Sequence, residues 1–221
     1  MPAEDDLMAM KLQFDANQEF QLQAIEAVAG LFEGQPRVQT ELVFGQGAAA
    51  AVANRVDLSD AELLANLRAV QERNHITPDG QLACIEQAIE ANGGTRLVRF
   101  CNFSVEMETG TGKTYVYLRT LLELYRRYGM RKFIVVVPSL AIREGVLKTL
   151  EITREHLREL YGNAPYRFYA YDSANISQVR QFALSDGVEV MVMTLAAFNK
   201  GANVIRQSTD RLQGETPIHL V

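Results

Sequence analysis

The most constraining feature of the sequence is a glycine-rich turn between an apolar segment and a helical pattern. Residues 103–120 read FSVEMETGTGKTYVYLRT. Gly110 and Gly112 allow the backbone to turn tightly and to direct its N–H groups at an anion. A helix that begins near Lys113 would add the positive end of its dipole at the same place. This order of strand, turn and helix predicts a binding site for nucleotide phosphates.

The chemistry of a nucleoside triphosphate assigns roles within the turn. We expect Lys113, the predicted catalytic residue, to reach the β- and γ-phosphates, and the Thr114 hydroxyl to bind Mg²⁺. The general phosphate-loop pattern has a first glycine where this chain has Met107, so the match is incomplete. An ordinary glycine-rich turn with a surface lysine is the alternative interpretation. The candidate residues for ATP binding in the loop are Thr109, Gly110, Thr111, Gly112, Lys113 and Thr114.

Strands and helices are expected to alternate after the turn. The apolar run KFIVVV at residues 132–137, bounded by Pro138, is typical of a strand buried on both faces of a parallel sheet. Alternation at this spacing indicates right-handed βαβ units. The sequence therefore predicts an α/β, RecA-like domain with a parallel sheet flanked by helices. The expected helices are 115–128, 140–160 and 176–184, and the expected strands are 103–107, 132–137, 167–171 and 189–193.

The region before the turn is predicted to be mainly helical. A helix is expected at residues 19–32, and Ser59 with Glu62 forms a plausible capping box for a second helix. A third helix is expected at residues 82–91, stopped by Gly93 and Gly94, before β character resumes at 97–105. The predicted organisation is an acidic tail (1–10), a helix (11–33), a helical insertion (34–102) and the RecA-like domain (103–221). The insertion has no assigned chemistry, and packing or partner contact is its expected role.

A family resemblance extends over the turn and the sequence after it. Residues 105–120 (VEMETGTGKTYVYLRT) and 128–161 (YGMRKFIVVVPSLAIREGVLKTLEITREHLRELY) resemble the Res subunit of Type III restriction enzymes, a superfamily 2 helicase-like ATPase. The resemblance is looser at residues 12–25 and 192–205. In that superfamily the first glycine of the loop is often replaced, which agrees with Met107. The resemblance implies an ATP-driven motor that acts on double-stranded DNA together with a Mod methyltransferase subunit.

The resemblance also implies site residues outside the turn. Gln21 would read the adenine edge, because an amide both donates and accepts hydrogen bonds. A surface position is the alternative for Gln21, and Gln18 and Gln23 compete for the role. The residues implied for DNA binding are Pro138, Ser139, Arg143 and Thr194, which would hold one phosphate backbone without reading its sequence. A helix N-cap is the alternative for Ser139, and a solvent-facing position is the alternative for Arg143.

Several parts of such a motor are not found in the sequence. A strand-end Asp-Glu pair that would hold Mg²⁺ and orient the attacking water is missing, although residues 216–221 (TPIHLV) resemble the approach to it. We therefore expect an incomplete domain that corresponds to the first part of a Res subunit. Because the loop is complete and the acidic pair is missing, we expect this domain to bind Mg-ATP or Mg-ADP weakly and to hydrolyse ATP negligibly. Residues after about 202 are expected to be poorly ordered, and 217–221 to form an association-prone edge. Another superfamily 2 helicase, for example in repair, and an inactive nucleotide-binding remnant are the alternatives.

Composition and charge limit the binding partners and the cellular location that we expect for the protein. The net charge of −5 excludes a general polyanion binder, so any DNA contact must come from a local patch. The acidic start lacks the features of a signal peptide, and no apolar run approaches the ~20 residues that span a bilayer. A cytoplasmic protein without membrane contact is expected. Cys84 and Cys101 are interpreted as free thiols, with a bridge disfavoured, and His75, His156 and His219 as solvated surface.

Overall fold

The computed structural model describes residues 15–37, 53–91 and 94–199. The expected tail (1–10), the terminal edge (217–221) and His219 lie outside these ranges. No helix within them is long and apolar enough to cross a lipid bilayer. The elements are α1 (Glu19–Gly30), α2 (Asp60–Arg73), β1 (Cys84–Ala91), β2 (Gly94–Cys101), α3 (Lys113–Tyr128), β3 (Lys132–Val137), α4 (Leu140–Leu160), β4 (Tyr166–Ala170), α5 (Ile176–Leu184), β5 (Val188–Thr194) and α6 (Leu195–Phe198).

A parallel three-stranded sheet organises the second half of the chain. Its strand order is β3-β5-β4, with Lys132 opposite Glu189 and Val137 opposite Thr194. The central strand β5 is buried along its whole length. Helices α3 and α4 cover the sheet with apolar side chains such as Leu122 and Leu150. The prediction of an α/β domain with a parallel sheet flanked by helices is confirmed.

Local sequence signals set the ends of the helices. Helix α3 begins directly after Gly112 (φ 82°) and ends at Gly129 (φ 76°), both in the left-handed region that glycine adopts without strain. The Ser59 hydroxyl and the Glu62 carboxylate form the predicted reciprocal capping box at the start of α2. Ser139 caps α4 by accepting a hydrogen bond from the Ile142 amide.

The prediction of a helix at residues 82–91 is wrong. This segment forms β1, which pairs with β2 in an antiparallel hairpin. Cys84 and Cys101 lie directly opposite each other in this register and form a disulfide, so the prediction of free thiols is also wrong. A helix over 82–91 would have carried Cys84 away from Cys101, whereas the hairpin brings the two side chains together across its open end.

The strand expected at residues 103–107 is not formed. These residues have no regular secondary structure, and they connect the hairpin to the glycine-rich turn. The connection begins where the Asn102 amide donates a hydrogen bond to the Ala83 carbonyl. The turn is therefore held by α3 on one side and by an irregular segment on the other.

A row of charged residues crosses the sheet at the amino ends of its strands. Lys132, Glu189 and Arg167 are register partners on β3, β5 and β4, and Lys132 and Glu189 are fully buried. Arg167 forms an ion pair with Glu189, while the Lys132 amine donates to the Ser185 carbonyl at 2.5 Å. Asn54 binds the backbone of Lys132 through both its amide nitrogen and its amide oxygen, which anchors the segment before α2 to the edge of β3.

Candidate nucleotide-binding site

The backbone of the glycine-rich turn has the conformation that a phosphate cradle needs. Gly110 (φ 84°) and Gly112 (φ 82°) both adopt the left-handed region, and the helical residues of α3 begin at Lys113. The free N–H groups in the first turn of a helix carry partial positive charge, and α3 presents them next to this turn. The predicted loop residues are therefore brought together in one short segment, and its role in binding an anion stays a prediction.

The polar side chains of the loop converge on one carbonyl oxygen. The Lys113 amine donates to the Glu108 carbonyl at 2.6 Å, and the Thr111 hydroxyl donates to the same oxygen at 2.7 Å. Lys113 is exposed, so an incoming phosphate can reach its amine and compete with this carbonyl. Thr109 is also exposed, and Thr114 lies half-buried in the first turn of α3.

Gln21 of α1 contacts the loop directly. Its side chain is only 7% exposed, and its amide nitrogen donates to the Thr111 carbonyl at 3.0 Å. Its amide oxygen is buried and has no hydrogen-bond partner among the described residues. Of the three competing glutamines, Gln18 is the N-cap position of α1 and Gln23 donates to Glu19. Adenine recognition by Gln21 stays a prediction.

A contact that the sequence did not reveal supports the start of α3. The Tyr115 hydroxyl and the His156 Nε2 atom lie 2.7 Å apart, across 41 residues of sequence. The interpretation of His156 as a solvated surface residue is therefore wrong. Burial, aided by the positive charge of Arg119, lowers the pKa of His156 below its usual value. No local pattern marks this pair, because α4 meets α3 only in the folded molecule.

The four residues implied for DNA binding occupy two places near the carboxyl ends of the strands. Val137 and Thr194 are register partners, so Pro138 directly follows β3 and Thr194 is the last residue of the neighbouring strand β5. The Ser139 and Thr194 hydroxyls both cap helices, Thr194 by accepting from the Ala197 amide at 3.2 Å. Arg143 forms an ion pair with the adjacent Glu144 instead of facing solvent alone. The DNA roles of these residues stay predictions.

The chemistry of the site fits a nucleotide with a magnesium ion. Mg²⁺ takes oxygen ligands and is usually held by one or two protein groups together with substrate phosphates and waters. The Thr114 hydroxyl offers such an oxygen beside the cradle. Within residues 15–37, 53–91 and 94–199, no group of three His, Cys, Asp or Glu side chains could hold a metal ion by itself. Lys113 and the loop amides supply the positive charge that phosphates require.

Comparisons with known proteins agree with the family resemblance that the sequence indicates. The sequence profile of the family described as "Type III restriction enzyme, res subunit" matches residues 65–216, which is more than half of the chain. The chain is 29% identical over 156 residues to the EcoPI Res subunit of Escherichia phage P1, which is 70% of this chain and 14% of that protein.

Two further relatives match shorter stretches with higher identity. The StyLTI Res subunit of Salmonella typhimurium is 50% identical over 64 residues, 28% of this chain and 6% of that protein. The EcoP15I Res subunit of Escherichia coli is 46% identical over 59 residues, 26% of this chain and 6% of that protein. The aligned parts thus span well under two thirds of the length of these relatives.

Proposed function

The chain belongs to the family of Type III restriction enzyme Res subunits, and on this premise we propose that it binds ATP with Mg²⁺ as the motor portion of such a subunit. The family has a P-loop, helicase-like fold, and the described α/β domain agrees with it. We propose that the complete protein hydrolyses ATP to move along and cleave double-stranded DNA in the cytoplasm, with a Mod methyltransferase as its partner. The three relatives are Type III restriction-modification enzyme Res subunits, which supports this proposal.

The single observation that carries the proposal is the geometry of the loop. Two glycines in the left-handed conformation precede α3, and the exposed Lys113 amine lies over the turn they form. In the proposed complex Lys113 leaves the Glu108 carbonyl and binds the β- and γ-phosphates. Thr114 would hold Mg²⁺, which neutralises phosphate charge when it is bound. Gln21 would stabilise the loop through Thr111 and offer its free amide oxygen to the base.

Calorimetry with Mg-ATP and Mg-ADP tests the proposal. We expect weak binding by the chain, loss of this binding in Lys113→Ala, and negligible hydrolysis. Lys148→Ala, which changes an exposed lysine of α4, is the matched control and should bind as the wild type does. Equal affinity of the wild type and Lys113→Ala would contradict the proposed nucleotide site. Rapid turnover by the chain alone would contradict the prediction that it lacks a hydrolytic step.

DNA binding by the chain is proposed to be weak and independent of sequence. The Ser139 and Thr194 hydroxyls and the nearby helix starts can contact phosphates, but the net charge of −5 provides no broad attraction. Fluorescence anisotropy with two duplexes of different sequence should give similar, low affinities. These affinities should fall steeply with added salt, because phosphate contacts release counterions. A tight, sequence-specific complex at physiological salt would exclude this proposal.

A further inference from the structure

A cavity of about 640 Å³ lies between α1, the end of α2 and α3. None of its lining residues belongs to the glycine-rich turn, so it is separate from the candidate nucleotide site. Its volume lies within the range of pockets that bind small molecules. Its walls combine an apolar patch on α1 with four arginines. A ligand of this cavity therefore needs an apolar part and a part that suits the positive charges.

Arg119 is a buried cation in the wall of this cavity, and no carboxylate of the described residues forms an ion pair with it. The residue is only 8% exposed, and its guanidinium donates from Nη1 to the Ala16 carbonyl at 2.7 Å. It also lies 5.5 Å from the centre of the Tyr115 ring and interacts with the Tyr115 and Tyr161 hydroxyls, none of which carries a negative charge. Its Nε atom is buried without a hydrogen-bond partner in the described part of the chain. A guanidinium stays charged at all physiological pH values, and burying a charge without an opposite charge is unfavourable. The remaining binding capacity of Arg119 therefore favours an anion.

The other charges of the cavity do not supply that anion. The Glu123 carboxylate is occupied by Arg126 and Arg127, and Glu26 also pairs with Arg127. Glu19, the remaining carboxylate of the lining, is exposed and accepts a hydrogen bond from Gln23. Arg73, at the exposed end of α2, adds a further positive charge to the rim. In the described part of the chain, no carboxylate lies within ion-pair distance of Arg119.

We propose that the cavity binds a small organic anion, with a phosphate or carboxylate group toward Arg119 and an apolar body against Leu22, Ile25 and Ala27. The apolar residues come from one helix, α1, and line the cavity together with Arg119 of α3. A polymer backbone is a poorer fit, because nine-tenths of the surface of Arg119 is inaccessible to solvent. The proposal does not depend on nucleotide binding at the loop.

Phenyl phosphate is a suitable probe, because it joins an apolar ring to one anionic group. All measurements use the full chain carrying Lys113→Ala, so that the loop does not take the phosphate. We expect calorimetry to give at least ten-fold tighter binding of phenyl phosphate than of phenol or inorganic phosphate. In this background Ala27→Trp, which fills the cavity, should weaken binding at least ten-fold. Ala141→Trp on the exposed face of α4 is the matched control and should leave binding unchanged.

Substitution of Arg119 tests the contribution of its charge to binding separately from the contribution of the cavity volume. Arg119→Met should weaken phenyl phosphate binding at least ten-fold while phenol binding stays the same, and Arg119→Lys should retain part of the affinity. Because Ala27→Trp leaves every charge in place, it keeps the test decisive even when Arg119→Met does not fold. Absence of phenyl phosphate binding, equal binding in Ala27→Trp, or equal affinity for phenol would each overturn the proposal.

Discussion

At the scale of single residues, the Gln21 side chain occupies the space beside Gly112 that a larger residue there would need. A Cβ atom on Gly112 would lie 2.7 Å from the Gln21 amide nitrogen, which is closer than side chains tolerate. The amide cannot move aside freely, because Gln21 is buried and donates to the Thr111 carbonyl. Glycine at position 112 is therefore needed both for its left-handed backbone and for the space that Gln21 occupies.

Gly112→Ala is predicted to lose more stability and more nucleotide affinity than Gly110→Ala. Both changes place alanine in the left-handed region, at a cost of about 1–2 kcal/mol each. Only position 112 adds a collision, since nothing lies within 4 Å of a Cβ at Gly110. Urea unfolding and Mg-ADP calorimetry measure the two losses. Gln21→Ala should relieve part of the Gly112→Ala defect in a double-mutant cycle. Equal losses at positions 110 and 112 would contradict this account.

Contacts between distant residues limited what the sequence could reveal about the site. The residues of the turn were predictable because glycine conformation and the start of α3 are local properties. The Gln21–Thr111 bond joins residues 90 positions apart, and the Tyr115–His156 contact joins residues 41 apart. Such partners depend on how α1 and α4 pack against α3. Periodicity within one segment carries no information about them.

At the scale of elements, local signals explain both the correct and the wrong predictions. Helix α4 and strand β3 were predictable because an apolar run, Pro138 and a capping serine mark their limits. Strand β1 was mistaken for a helix, since LACIEQAIEA combines good helix formers with apolar residues at helical spacing. Its strand conformation depends on pairing with β2, which is a tertiary effect that overrides weak local propensity.

The hairpin disulfide is predicted to stabilise the protein measurably. Cys84 and Cys101 are separated by 17 residues, and closing a loop of that length contributes about 3 kcal/mol in the chain-entropy account. A dithiol reductant should therefore lower the free energy of unfolding in urea. The double variant Cys84→Ser, Cys101→Ser should not respond to the reductant. Alkylation of both cysteines in unreduced, urea-unfolded protein would show that the disulfide is absent.

The buried Lys132 should make the free energy of unfolding change with pH in the alkaline range. Burial lowers the pKa of Lys132 to about 8. The positive charges of Arg167 and Arg131 lower this pKa further, while the negative charges of Glu189 and Asp186 raise it in part. An unfolded lysine has a pKa of about 10.4. Between these values the unfolded chain binds more protons than the folded chain, so stability rises with pH.

This dependence predicts a gain of about 1.5 kcal/mol in the free energy of unfolding between pH 8 and about 9.5. Urea unfolding at several pH values measures it. Lys132→Met should remove the rise, because the titrating amine is gone. Lys148→Met changes an exposed lysine and should keep the slope of the wild type. The same slope in Lys132→Met would assign the effect to another group.

At the scale of the whole molecule, β3 is an outer strand of the described sheet. The order β3-β5-β4 leaves β3 with one paired edge. On its other edge, Asn54 binds the backbone of Lys132 but reaches no further along the strand. The backbone groups of Ile134 and Val136 face the same edge, because alternate residues of a strand point their N–H and C=O groups the same way. Val136 is also 39% exposed. No described segment pairs with this part of the edge.

An open strand edge of this kind favours pairing between molecules, so the chain is predicted to self-associate as its concentration rises. Sedimentation velocity over a concentration series measures this association. Val136→Lys should shift the protein toward monomer, since a charge on an edge strand opposes pairing with another strand. Ile152→Lys is the matched control, because Ile152 of α4 is 44% exposed but lies on a helix. A wild type that stays monomeric at the highest concentration, or an equal effect of both substitutions, would contradict association through β3.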